Sequence, residues 1–512
     1  MKTFIGIVAC LAIAATPARA IPLPKPEDVT QPAERPQLAR FISVFGAAEP
    51  GDAVAELDAI LGELPQPTQL RGLVQFFRAS ALRIDKPAQA SEAVLESVRL
   101  LPGYSAPLLL ASQIFMYQDQ SGSAADYVLR ASRIDPSIVN LLDDYEMAGL
   151  MTRLSEVNDK RRLALVGERL LETGWTRGRS GTISRMAMAV IEERLSKGDV
   201  KGASALVPRI VSPASFRRLL GEKSFAPIRL IAEDWAGQRL EKQWPIYLEQ
   251  TRAEWEASRS AEAALAYVRA LQAAGHDRTM VAAFLPIFDQ PIDPDTKDAD
   301  DLIFIVAPLA DALARLGRWN EVDRLFQKAS AIWPAGSFAN ALNVSGNRAR
   351  LQIYRGNFEE AVKQLNAALD EANKWGGQVN QGASATLHLY RACAFEQLGR
   401  ATEGASSAAI VISRGRVDPS ALANFHLCRN DVAGARQALL EGLKNGQTRS
   451  EVVNWLQPVD GRTFDSGFAR ELHDRASRLR NDPALLGEAR KYATIFDWPM
   501  NAAAPTEGAL PE

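Results

Sequence analysis

The sequence predicts an all-α chain, a superhelical α-solenoid of antiparallel helix pairs. Three observations carry that expectation: apolar and small residues recur on one spacing grid, Gly or Asn punctuates the grid where a first helix must end, and strand-like alternation is scarce. The composition agrees, at 47% hydrophobic, 23% charged and only 7% aromatic, rich in Ala, Leu and Arg. At 512 residues the chain exceeds what one globular core supports, so several domains or a repeating array are required.

The first element is a leader. Residues 1–20 place Lys2 before an apolar run and end in Ala18-Arg19-Ala20, the small-x-small pattern of a secretory cleavage site. Cleavage after Ala20 predicts a periplasmic or secreted protein. Ile7-Val8-Ala9-Cys10 offers lipid anchoring at Cys10 as the alternative. The apolar run is shorter than the roughly 20 residues a membrane span needs, and no later stretch qualifies. Removing Lys2 and Arg19 takes the formal charge from −2 to −4, with no basic field for nucleic acid or anionic lipid. Cys393 and Cys428 then remain, to form one disulfide or to stand as two lone buried thiols.

Residues 21–36 carry five prolines and predict an extended leader outside the core. Residues 37–290 read as an N-terminal array of irregular helix pairs. Within it, Ala90, Val94, Ser97 and Pro102 recur as Ala124, Val128, Ala131 and Pro136, each 34 residues on. Residues 139–183 and 218–260 fit the grid poorly but keep three- and four-residue apolar steps. The acidic loop 291–301 reads as a hinge between halves. Residues 302–457 carry the C-terminal pairs: Val322, Phe326, Ala329 and Pro334 repeat as Ala361, Leu365, Ala368 and Asn373. Gly317, Gly356, Gly399 and Asn430 mark the turns, and Ala310, Ala349 and Ala392 the helix crossings. Residues 458–500 read as closing helices, and 501–512 as a disordered tail.

The 34-residue offset and this pattern of small residues resemble the tetratricopeptide repeat family, whose unit is a helix-turn-helix. The clearest units run over residues 71–104, 105–138, 261–294, 303–336, 342–375 and 385–418. The resemblance implies an exported bacterial tetratricopeptide-like scaffold whose first helices line a concave face that grips a protein or peptide of the cell envelope. In this register Asp311, Arg315, Asn343, Asn347, Arg350, Tyr354, Tyr390, Gln397 and Asn424 project from the first helices as partner-binding residues. Some members of the family clamp a C-terminal carboxylate with Lys and Asn. Here Asn347, Arg350 and Asn424 stand without the lysines, which speaks against that clamp.

No enzyme constellation accompanies the grid. His276, His388, His426 and His473 lack zinc spacing, although His388 and His426 fall on adjacent first helices; G-x-S-x-G and Walker signatures are absent. Residues 173–182 hold three glycines and two arginines but follow no buried strand, and read as a loop between repeats. Asp293, Asp295, Asp298, Asp300 and Asp301 offer oxygen ligands, yet lack the central Gly and terminal Glu of a calcium loop; Asp300 or Asp301 reads as the cap of a helix starting at Leu302. The expectation is a non-enzymatic scaffold without metal or cofactor. The rival reading is an accessory helical domain for peptidoglycan or polysaccharide processing, and self-association through exposed end repeats is the third.

Overall fold

The computed structural model describes residues 23–508, apart from residues 48–49, 84, 176–178, 294–296, 335, 338, 376–378 and 380. The expected signal peptide with Cys10, part of the 173–182 loop, Asp295 and residues 509–512 therefore lie outside the described residues. Among the described residues, regular structure is helical, with one isolated β-bridge between Glu222 and Ala493. The chain divides into compact units at Arg209 and Ile210, so the acidic loop 291–301 falls inside the second unit and not between halves.

In the first unit α1 (Arg35–Ala47) packs on α2 (Pro50–Glu63), α3 (Gln69–Leu82) on α4 (Pro87–Leu100), and α5 (Ser105–Tyr117) on α6 (Ser121–Ile134). The series continues with α7 (Asp144–Glu156) on α8 (Lys160–Thr173) and α9 (Ser180–Ser196) on the short α10 (Val200–Ser204). Neighbouring pairs also touch, α4 against α5 and α8 against α9. The prolines set the ends: α4 and α6 stop two residues before Pro102 and Pro136. Residues 23–34, expected to be extended and outside the core, instead form 3-10 turns at Pro26–Val29 and Pro32–Glu34, with Val29 buried beside α3. Each turn starts on a Pro, whose fixed φ suits the first helical position.

The second unit opens with α11 (Pro213–Gly221), α12 (Arg229–Ala236) and α13 (Gln243–Ser258). Five pairs follow: α14 (Ala261–Ala274) with α15 (Asp277–Phe284), α16 (Lys297–Arg315) with α17 (Trp319–Ile332), α18 (Leu342–Arg355) with α19 (Phe358–Trp375), α20 (Gln381–Gln397) with α21 (Ala401–Arg414), and α22 (Pro419–Cys428) with α23 (Val432–Lys444). Each first helix of this series also packs on the next first helix, which is the stacking of a helical-repeat array. Three closing helices complete it: α24 (Arg449–Leu456), α25 (Gly467–Arg480) and α26 (Pro483–Ala489).

The spacing grid is the core. Ala90, Val94 and Ser97, Ala124, Val128 and Ala131, Val322, Phe326 and Ala329, and Ala361, Leu365 and Ala368 are all buried, as are the crossing residues Ala310, Ala349 and Ala392. At Gly72 a Cβ would sit 2.7 Å from Leu100 Cβ, so α3 and α4 approach more closely there than an alanine allows.

One turn recurs at eight first-helix ends. One or two residues after the helix the chain takes positive φ: Asp119, Asn158, Gly198, Gly275, Gly317, Gly356, Gly399 and Asn430. The next N–H then donates back to a carbonyl five residues earlier, as in Arg318 to Leu313, Asn357 to Gln352 and Asp159 to Leu154, all at 2.8 Å. This is a Schellman closure, which satisfies carbonyls the helix leaves open. It places α7 and α8, in the stretch that fits the grid poorly, within the same series.

Candidate protein-interaction site

The first helices of the second unit carry a ladder of charged side chains. Arg350 on α18 donates Nη2 to Asp311 Oδ1 on α16 at 2.5 Å, and each side chain is only 13% exposed. One step earlier, Arg315 on α16 holds Asp277 at the start of α15 through two bonds of 2.9 and 2.7 Å. Burial works against both guanidinium charges, but Asp311 and Asp277 outweigh it and raise both arginines above their ordinary range. Arg350 also lies over the Tyr354 ring, and burial, then Tyr354, pushes the Tyr390 phenol up.

The other expected partner-binding residues are engaged similarly. Asn343 Nδ2 donates to Asn340 O, Asn347 Nδ2 to Asn343 O, Arg350 Nε to Asn347 Oδ1, and Gln397 Nε2 to Cys428 O. Among the nine, Asn424 alone is exposed. The other eight are partly exposed, several of them bonded within the chain. Stacked first helices lie close enough for an Arg on one to reach the Asp of the preceding pair, and buried charge demands such a partner.

Cys393 on α20 and Cys428 at the end of α22 form a disulfide with Cα atoms 5.7 Å apart, which resolves the two alternatives left open by the sequence. The bond ties two consecutive first helices at their C-terminal ends.

Residues 457–508 return across the second unit. Arg462 reaches Asp277 Oδ2 at 3.3 Å, Phe464 lies on Tyr354 with ring centroids 4.8 Å apart, and Ser466 Oγ donates to Tyr354 O. Farther on, Arg475 Nη1 donates to Leu427 O and Arg480 Nε to Trp455 O. Cations thus sit at helix C-termini, where carbonyls and the macrodipole favour them. The chain then meets the opening helices and α15: Thr494 N donates to Gly221 O, Trp244 Nε1 to Met500 O, and Thr279 N to Glu507 Oε1. Residues 501–508, expected to be disordered, are held by these bonds and by His276 Nε2 against Pro505 O at 2.7 Å.

Arg217 on α11 lies over the adjacent Phe496 and Trp498 rings, 5.4 Å from each centroid. Burial lowers its pKa to about 10.

His388 Nδ1 meets Ser407 Oγ at 2.9 Å, while His426 Nδ1 meets Asp431 Oδ2 at 2.8 Å, so the two rings have separate partners. Asp298, Asp300 and Asp301 belong to the first turns of α16, which starts at Lys297, five residues before the helix start expected at Leu302. Among the described residues no cluster of three or more His, Cys, Asp or Glu is placed to hold a metal, and no helix is long and apolar enough to cross a membrane.

Tyr117 at the end of α5 is 65% exposed and Tyr145 on α7 is 59% exposed. The two lie near each other and near Glu146, which accepts from Gln113 at 2.8 Å.

No family model and no curated protein matches this chain. Among solved structures it is similar to yeast Tom70, at 16% identity and a TM-score of 0.28 over 90% of this chain and 99% of that one. It is similar to the Cut9–Hcn1 hetero-tetramer of APC/C, at 12% identity and 0.28 over 93% and 100%. A third likeness is to Naa15/Naa10 bound to HypK-THB, at 11% and 0.24 over 89% and 74%. Likeness at these TM-scores carries no argument for fold, partner or activity; the helix pairs and their repeated turn stand on this chain's own geometry.

Proposed function

We propose that this chain is an exported, non-enzymatic helical-repeat scaffold that binds a protein partner of the cell envelope through its first-helix faces. The observation that carries the reading is the pair Tyr117 and Tyr145, large amphipathic rings left exposed on consecutive first helices. Tyrosine contributes contact area and a hydrogen-bonding tip at low conformational cost, so it suits recognition of an extended segment. Export is read from residues 1–20, and the Cys393–Cys428 bond supports it, because disulfides persist in oxidising compartments.

Crosslinking in the native envelope followed by mass spectrometry tests the partner claim. Tyr117→Ala with Tyr145→Ala is expected to lose the crosslinked protein while melting as the parent does. An unchanged crosslinking pattern would remove this face from the proposal. The mass of the mature chain tests export: it should begin at Ile21.

A further inference from the structure

We propose that the turn edge of the second unit is a track for an extended Arg-x-Phe segment of a partner protein, and that residues 458–466 occupy it in cis. The inference rests on the scaffold reading above and adds a surface and a partner chemistry.

The track crosses the C-terminal ends of three successive first helices. At the turn from α14 to α15 it offers the Asp277 carboxylate and the Gln272 carbonyl, both reached by the Arg462 guanidinium, at 3.3 and 3.4 Å. At the turn from α16 to α17 the Trp319 indole N–H donates to the Asp465 carbonyl at 3.4 Å. At α18 the Tyr354 ring takes Phe464, and the Tyr354 carbonyl accepts from Ser466. These groups read a guanidinium, an aromatic ring two residues later and the backbone after it. They read nothing else of the segment.

None of residues 458–466 is fully buried, and within the segment Asp460 accepts from Arg462 Nε and from Asn501 Nδ2, the latter at 2.8 Å. Residues 458–464 have no regular structure, and Gly461, Arg462 and Asp465 are exposed. Both flanks are firmly held: Gln457 is buried and bonded to Thr494 O and Phe496 N, and beyond the segment Leu479, Leu485 and Ala489 are buried. Segments with little buried apolar area open locally at far lower cost than the elements beside them. Lifting 458–466 therefore leaves Gln457 and the buried residues of α25 and α26 in place at the cost of the Ser466 cap on α25, and Asp277 stays paired with Arg315. An Arg-x-Phe peptide arriving in trans meets the same carboxylate, ring and carbonyls.

The test uses the full chain and a labelled peptide of residues 458–466. Phe464→Ala in the full chain should speed amide exchange across 458–466, leave the unfolding midpoint in place, and tighten peptide binding at least tenfold over the parent chain. The same peptide lacking its Phe should not bind. Equal peptide affinity for parent and variant while the segment exchanges faster would overturn the proposal, as would unchanged exchange, because the ring would then not be what holds the segment. Should Phe464→Ala lower the unfolding midpoint, Arg462→Ala is read by the same two measurements and decides. Loss of partner binding through Tyr117 and Tyr145 would be a separate failure, since those residues belong to the first unit.

Discussion

Cys393 and Cys428 tie consecutive first helices 35 residues apart, beside the carbonyls that Gln397 and Arg475 cap. A bridge closing a loop of that length stabilises by roughly 3–4 kcal/mol, chiefly by restricting the unfolded chain. Cys393→Ser is expected to lower the unfolding midpoint of the second unit accordingly. Parent protein melted under reductant should match it in calorimetry, and adding reductant to the variant should change nothing further.

The Asp311–Arg350 pair gives a second prediction. Asp311→Ala leaves a buried guanidinium without its carboxylate and should cost about 3–5 kcal/mol. Asp311→Ala with Arg350→Met removes both charges and should cost clearly less, so chemical denaturation of the four-variant cycle reads a large coupling. Arg350→Glu would set two carboxylates against each other. Joined with Tyr354→Ala, it is expected to lower helicity and melting temperature, and so cannot serve as a clean test of partner binding.

Those two pairs mark where the sequence is readable and where it is not. Burial at Val322, Phe326 and Ala329 follows from helical period, which is local information, and Gly317, Gly356 and Gly399 announce their turns. Asp119 and Asn158 take the same left-handed turn without glycine's signature, in stretches where the spacing grid does not point to them. Arg350 looks like a surface residue in isolation; only the stacking distance between pairs reveals that Asp311 is within reach. The bonds from Trp244 to Met500 and from Arg462 to Asp277 join residues 256 and 185 positions apart, and no periodicity encodes them.

Gly356 isolates the cost of the repeated turn. Its φ is +89° and a Cβ there would meet nothing within 4 Å, so Gly356→Ala pays only for backbone conformation. The expected loss is about 1–2 kcal/mol. Gly356→Asn should lose less, since Asn tolerates this region, as Asn430 does in the same turn. Urea midpoints of the two variants against the parent check the order.

His388 makes the second unit sensitive to mild acid. Ser407 Oγ accepts from Arg391 Nε at 2.8 Å and meets His388 Nδ1 at 2.9 Å. Burial, and then the Arg391 charge, lower the His388 pKa below its ordinary value. The unfolded chain therefore takes up a proton near pH 6.5 while the folded chain does not. Stability contributed by this site is complete above that pH and falls as pH drops toward the folded-state pKa, by at most about 1.4 kcal/mol per pH unit. Denaturation midpoints at pH 7.5 and 5.5 should diverge more for the parent than for His388→Gln, which keeps a hydrogen-bond acceptor but does not titrate. Equal divergence in both would mean that other groups, such as Glu451, whose pKa burial raises, govern the pH dependence.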